Sequence, residues 1–264
     1  MGKLIIGRFI PVDSLLHRLD PRSKLILIFL FICIVFLANN VWCYLILIAY
    51  VSFMVTLSNV PLKYIYIGLR PILWLIIFTF LLHIFFTREG SVLLDFGWIK
   101  VYEEGLRMAI LISIRFLLLI IMTSLLTLTT TPIELTDAME TLFAPLKKWK
   151  LPVHELALMM SIALRFIPTL MDETEKIMKA QMARGVEFSS GPIKSRIKAI
   201  VPLLIPLFIN SFKRAEELAI AMEARGYQGG EGRTKYRQLV WKSMDSIMII
   251  GILALSVILY LLRS

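Results

Sequence analysis

Two Ala-Arg-Gly triplets stand 41 positions apart, Ala183-Arg184-Gly185 in KAQMARGVEF and Ala224-Arg225-Gly226 in AMEARGYQGG. An arginine guanidinium is always charged and presents a planar donor fork that matches a carboxylate. Glycine directly after it is the expected left-handed terminator of a helix. A single copy needs no more than capping, with the cation complementing the negative end of the helix dipole. Two copies at equivalent places on two similar helices point further, to two forks offered to two similar acidic grooves. A pair of related subunits would supply such grooves.

Other chemistry is missing. There is no G-x-x-x-x-G-K-[ST] phosphate loop. His17, His83 and His154 are scattered, and His154-Glu155 lacks the second histidine of a zinc helix. Cys33 and Cys43 lie in apolar stretches without a C-x-x-C and read as two buried free thiols. Ser189-Ser190-Gly191 reads as a turn. Asp172-Glu173 with Glu175 reads as a solvated helix face, with Glu175 and Lys179 as an i,i+4 pair. No catalytic residue, no metal site and no cofactor are expected.

The surroundings of the triplets are those of a membrane protein. Of 264 residues, 58% are hydrophobic and only 18% charged, with a mean hydropathy of +0.78, against roughly 25% charged in a soluble domain. Residues 1–24 are polar and basic (Lys3, Arg8, Arg18, Arg22, Lys24) and lack the apolar core of a cleavable signal peptide. Apolar runs follow at 25–38, 41–57, 72–86, 105–128 and 246–262. Asn39-Asn40 separates the first two as a tight hairpin. Pro61 and Pro71 punctuate the connection to the third, and Arg107 and Arg115 interrupt the fourth. The net charge of +10 then reports orientation and not nucleic-acid binding. The positive-inside rule places the N-terminus, 58–71 and 129–242 in the cytoplasm, and 87–104 and the C-terminus outside.

The expected fold is therefore an all-α integral membrane protein with about five transmembrane helices and long cytoplasmic helices. Its expected parts are an N-terminal membrane region, 1–128, a cytoplasmic insert, 129–242, and a C-terminal transmembrane helix, 243–264. The insert mixes 17 Lys/Arg and 12 Asp/Glu with long apolar stretches. Thr131-Pro132-Ile133-Glu134 is a capping box with proline at the first helical position. Pro145 and Pro152 bracket LKKWK, where one helix ends and another begins. The next helix is expected from Val153 to Arg184, with a seam of Leu156, Met160, Ala163, Ile167, Leu170, Thr174, Ile177 and Gln181. Residues 186–192 form a loop. A further helix is expected from Ile193 to Arg225, bent by Pro202 and Pro206, and Gly226, Gly229, Gly230 and Gly232 break regularity after it. Shifted by 41, Glu175 meets Glu216 and Ala180 meets Ala221. Each helix is apolar in its first half and charged in its second. The apolar halves carry Met159, Met160, Ile167, Met171, Leu203, Leu204, Leu207 and Phe208, and need cover from lipid, each other or a partner. Seven of the thirteen methionines lie in 132–226, which suits an adaptable docking face.

Over nearly its full length the chain resembles the T component, the transmembrane coupling subunit of energy-coupling-factor (ECF) ATP-binding-cassette transporters. LLHRLDPRSKL at 15–25 resembles that family's N-terminal signature through His17, Asp20, Pro21, Arg22 and Lys24. LRFIP at 164–168, with Arg165 and Pro168, resembles its Leu-Arg-Phe-x-Pro element, and AQMARG and AMEARGY resemble its paired Ala-Arg-Gly motifs. Met182 and Glu223 differ between the two copies. The resemblance implies a non-catalytic subunit of a bacterial or archaeal cell membrane, with its N-terminus in the cytoplasm. It implies two ATPase partners that receive the Arg-Gly tips and bind the ATP. It also implies a separate substrate-binding membrane subunit, the S component, held by the coupling helices and drawn from one or several interchangeable ones, for uptake of a vitamin or metal ion.

Two other readings fit parts of the sequence. A conventional ABC permease with its own substrate path would suit EARG at 223–226 as a coupling loop, but the four runs before the insert show no clear polar pocket. A membrane CDP-alcohol phosphotransferase would need Asp-Gly before Ala-Arg and paired aspartates after it, and neither is present. The orientation is directly testable. In a chain with Cys33 and Cys43 replaced by Ser, an impermeant thiol reagent applied from outside should label Gly90→Cys and spare Ser190→Cys. The reverse pattern would put the Arg-Gly tips in the wrong compartment.

Overall fold

The computed structural model describes residues 9–95, 100–149, 152–188, 192–229 and 238–262. The helices are α1 (Pro21–Val35), α2 (Val41–Ser58), α3 (Leu62–Phe86), α4 (Glu103–Thr129), α5 (Pro132–Phe143), α6 (Val153–Ala183), α7 (Ile193–Ala224) and α8 (Ser243–Leu262). A short 3-10 helix, Ala144–Trp149, follows α5. Strands β1 (Val92–Asp95) and β2 (Lys100–Tyr102) form a small antiparallel hairpin between α3 and α4. The chain divides into two compact units, Met1–Ala138 with Gln238–Ser264, and Met139–Arg237. Lys3, Arg8, Lys150, Ser189-Ser190-Gly191, Gly230, Gly232, Arg263 and Ser264 lie outside the described residues.

Among the described residues five helices are long and apolar enough to cross a membrane: α2, α3, α4, α6 and α8. The number matches the expectation, but the membership does not. α1 has 15 residues, about 22 Å at about 1.5 Å per residue, short of a hydrocarbon core of about 30 Å. α6 meets the same test of length and composition because its first half is almost free of charge. The connection expected over 58–71 is mostly helix. α3 begins directly after Pro61 and continues through Pro71, since a proline removes only one ladder bond and a packed helix absorbs the kink. The polar stretch 87–104 contains the β1–β2 hairpin. Both cysteines are free; Cys43 is buried among the helices and Cys33 lies on the outer face of α1.

In the first unit, α1 packs against α4 and α8, α2 against α4 and α8, and α3 against α4. Leu27, Phe31, Leu47, Leu118, Met122, Leu125, Ile252 and Leu259 fill the centre. Charge inside this apolar bundle is held by named partners. Arg115, in the interior of α4, donates from Nε to the Tyr44 hydroxyl (3.1 Å) and from Nη2 to the Ala38 carbonyl (3.1 Å). Its guanidinium also lies over the Phe36 and Tyr44 rings.

The N-terminal signature forms a polar knot at the start of α1. Asp20 is the N-cap and accepts from the Arg22 backbone N–H at 2.8 Å, and Pro21 opens the helix. The Arg22 guanidinium returns two bonds to Asp20, at 3.0 and 2.7 Å, and donates to the Leu239 carbonyl at 3.1 Å. The fully buried Asp245 accepts from the Asp20 N–H (2.8 Å), the Ser23 hydroxyl (2.6 Å) and the Lys242 N–H (2.8 Å). Lys24 Nζ reaches the other way, to the Thr129 carbonyl (2.9 Å) and Thr130 Oγ1 (3.2 Å). His17 donates from Nε2 to the Ile10 carbonyl (3.0 Å), so its Nδ1 accepts from the Ser14 hydroxyl (2.6 Å).

Burial pushes the Asp20 carboxyl up, but the bonds from Arg22 and the charges of Arg22 and Lys24 outweigh burial and hold it below its ordinary value of 3.8. A carboxyl lowered by folding adds stability above its unfolded value and loses it as pH falls through the folded one. Asp20→Ala should therefore cost about 0.5–2 kcal/mol for the lost cap near neutral pH. The gap in thermal midpoint between variant and wild type, measured in mild detergent, should narrow below pH 3.8. A gap that widens on acidification would show that the ionised carboxylate is not the stabilising form.

Candidate functional site

The two Ala-Arg-Gly triplets end α6 and α7 with the same bonds. At the first, the Gly185 N–H donates to the Met182 carbonyl and the Val186 N–H to the Gln181 carbonyl, both at 3.0 Å. At the second, the Gly226 N–H donates to the Glu223 carbonyl (2.9 Å) and the Tyr227 N–H to the Met222 carbonyl (3.0 Å). Each is a Schellman motif, which requires a left-handed residue just past the helix. Gly185 and Gly226 take that conformation, at φ +87° and +73°. Arg184 and Arg225 have nearly the same backbone, φ −87°, ψ 5° and φ −89°, ψ 8°. Ala183, Arg184, Gly185, Ala224, Arg225 and Gly226 are all exposed. Among the described residues neither arginine enters an ion pair.

α6 and α7 run antiparallel. Arg214 donates from Nη2 to Glu173, and Gln181 donates from Nε2 to the Pro202 carbonyl at 3.4 Å. Nearer the start of α6, Leu158 and Ile162 share a cleft with Leu218, Met222 and Arg225. Moving up one helix is moving down the other, so the two Arg-Gly tips lie at opposite ends of the pair. From Leu158 to Arg184 the helix rise alone gives a separation on the order of 40 Å.

The pair has almost no core. Ala157 is the one buried residue on α6 among the described side chains, and α7 has none. Met159, Met160, Leu204 and Phe208 are exposed, and Ile167, Met171, Leu203 and Leu207 are half-buried. The seam foreseen on α6 is followed only in its second half: Ile167, Leu170, Thr174, Ile177 and Gln181 are half-buried, while Leu156, Met160 and Ala163 are exposed. α7 meets the first half of α6 through Leu158, Ile162 and Phe166 instead. Arg165 is exposed and Pro168 lies inside α6. The Thr131–Glu134 capping box is reciprocal, with bonds of 3.0 and 3.3 Å. Glu175 and Lys179 pair at 2.8 Å, and His154 bonds Glu140 at 3.0 Å.

The signature residues His17, Asp20, Pro21, Arg22 and Lys24 are brought together in the first unit, away from the caps in sequence and in compact unit. Sequence reasoning missed their partners, Ser23, Thr129, Thr130 and above all Asp245. A signal was available: Asp245 is the one acid in the last apolar helix, and an isolated acid there demands a partner.

The CbiQ family, described as cobalt transport protein, matches residues 13–236. The chain is 64% identical over 264 residues to the energy-coupling factor transporter transmembrane protein EcfT of Bacillus subtilis (strain 168), covering 100% of both chains. It is 58% identical over 264 residues to the protein of that name in Listeria innocua serovar 6a, again covering 100% of both. It is 57% identical over 260 residues to that of Exiguobacterium sibiricum, covering 98% of this chain and 99% of the relative.

The caps make their own prediction. A methyl group at Gly185 or Gly226 would meet no atom within 4 Å, so Gly→Ala there tests backbone conformation and not crowding. Each substitution should cost about 1–2 kcal/mol and speed amide exchange of the last turn, at Val186 or Tyr227. Gly→Asn should cost less, since Asn tolerates the left-handed region. Equal exchange in the Ala, Asn and wild-type chains would mean that the left-handed cap does not hold the helix end.

Proposed function

The chain belongs to the CbiQ family and is a multi-pass cell-membrane protein, the EcfT-type transmembrane component of an ECF transporter, and from that premise we propose that it couples two cytoplasmic ATPases to a separate substrate-binding membrane subunit. The observation that carries the proposal is the pair of identical Arg-Gly caps at opposite ends of an antiparallel, nearly coreless helix pair. Each cap offers one ATPase a guanidinium that enters no ion pair among the described residues, and the separation suits two ATPases better than one. The apolar faces between them, with Met159, Met160, Leu204 and Phe208 exposed, hold the S component. Burying one such side chain contributes about 1.5–3 kcal/mol, so a few suffice. Methionine and leucine contacts can slide, which a subunit that reorients requires. The chain itself carries no catalytic residue in this scheme. ATP binds the partner ATPases, and the choice of vitamin or metal ion lies with the S component.

One pull-down from membranes, quantifying both partners, tests the scheme. Arg184→Ala with Arg225→Ala should lose the ATPases and keep the S component. Truncating a buried, bonded interface charge costs about 2–5 kcal/mol, an affinity loss of roughly thirtyfold or more. Lys at these sites should restore little, lacking the planar fork. Leu204→Asp or Phe208→Asp should lose the S component and keep the ATPases. Normal recovery of both partners with the double arginine variant would reduce the triplets to helix caps.

A further inference from the structure

Trp149 is 79% exposed, the most exposed large apolar side chain among the described residues. Phe86 and Trp74 come next, at 78% and 77%, but both lie on α3, a helix long and apolar enough to cross a membrane, where lipid can cover them. Trp149 has no such cover: it ends the six-residue 3-10 helix Ala144–Trp149 in the second unit. Three residues per turn set Leu146 and Trp149 on one face of that helix. Phe143, also exposed, stands one turn before them as the last residue of α5. Lys147 and Lys148 flank this stripe, exposed and in no ion pair among the described residues. The turn is held in shape. It packs on α6, and the bond between His154 and Glu140 at 3.0 Å ties the start of α6 to the last turn of α5 across it.

The residues around it carry one sign of charge. Over 141–154 the sequence has three lysines, Lys147, Lys148 and Lys150, and no acid. An exposed indole beside unpaired lysines suits a bilayer surface better than a protein. Protein interfaces are depleted in lysine, because burying an ammonium costs its hydration. The headgroup layer of a bilayer takes both groups at once. An indole sits there with its ring toward the acyl chains and its N–H in the polar layer, and a lysine reaches phosphate along its apolar stem. Where the headgroups are anionic, each lysine near the surface strengthens binding roughly fivefold.

We propose that the turn 143–149 is an anchor for anionic phospholipid headgroups, with Phe143 and Trp149 in the interfacial layer and Lys147 and Lys148 on the phosphates. The anchor goes beyond the coupling role and does not depend on it. The test uses the full-length chain with Trp42, Trp74, Trp98 and Trp241 replaced by Phe, reconstituted in liposomes of phosphatidylcholine alone or mixed with phosphatidylglycerol. Trp149 then supplies all the tryptophan emission. With phosphatidylglycerol present, a nitroxide carried high on the lipid chains should quench that emission, and quenching by aqueous acrylamide should fall about threefold or more. Lys147→Gln with Lys148→Gln should remove the difference between the two lipid mixtures, whereas Lys179→Gln should keep it. If the four replacements unfold the chain, subtracting the emission of Trp149→Phe from that of wild type isolates the same signal. Equal acrylamide quenching in the two mixtures overturns the anchor, as does a lipid response that survives the lysine pair. Protection of Trp149 that arises only on adding the ATPases or the S component would assign the patch to a protein partner and overturn it too.

Discussion

The membrane unit depends on one buried carboxylate. Asp245 sits at the start of α8, yet two of its three donors come from residues 20–23 at the start of α1. Lys24, one residue on, binds the end of α4. The ends of three helices meet within five residues of the N-terminal segment. Helices in lipid gain little from hydrophobic association with one another, so their register must come from close packing and from polar bonds. Arg115 serves the same end elsewhere in α4, tying it to Tyr44 of α2 and to the Ala38 carbonyl after α1. Without such ties, the apolar faces of α1, α2, α4 and α8 would have many similar ways to pack.

The second unit is built on the opposite plan. Thirty-one and thirty-two residues of helix meet, among the described residues, through one ion pair, one long side-chain bond and half-buried apolar contacts. Pro168 interrupts α6, and Pro202 and Pro206 interrupt α7, each removing a ladder bond. Such a pair leaves most of its apolar side chains exposed or half-buried, whereas the first unit closes its polar groups on one another.

Much of this was legible in the sequence, for physical reasons. Gly185 and Gly226 marked helix ends because few residues enter the left-handed region cheaply. Thr131-x-x-Glu134 marked a helix start because both groups are needed for the reciprocal bonds seen at 3.0 and 3.3 Å. Apolar runs marked spans. The misjudgements were also physical. Pro61 and Pro71 look alike in sequence, but only the first lies at a helix end, because packing of α3 on α4 carries the helix through the second. Hydropathy marks an apolar run at 25–38 but does not register that α1 stops at Val35. The α6 seam follows one helix stripe, whereas α7 lies along it only in its second half. Asp245 was hidden by distance: its partners lie 222 and 225 positions away, and no local pattern reports a contact of that range.

The identical caps also separate two explanations of Ala-Arg-Gly that the sequence left entangled. Every capping bond at both ends runs from backbone N–H to backbone carbonyl, and the left-handed turn is made by glycine. The arginine side chain takes no part in it. The cap therefore accounts for Gly185 and Gly226, and says nothing of why arginine precedes them. The helix dipole favours a cation there by about 0.3–1 kcal/mol, but lysine would serve it equally. What arginine adds is the planar fork for a carboxylate, and here each fork is exposed, unpaired among the described residues and set by a matching backbone. An exposed arginine with no ion pair among the described residues is open to a partner, which is what the proposed docking of two ATPases requires.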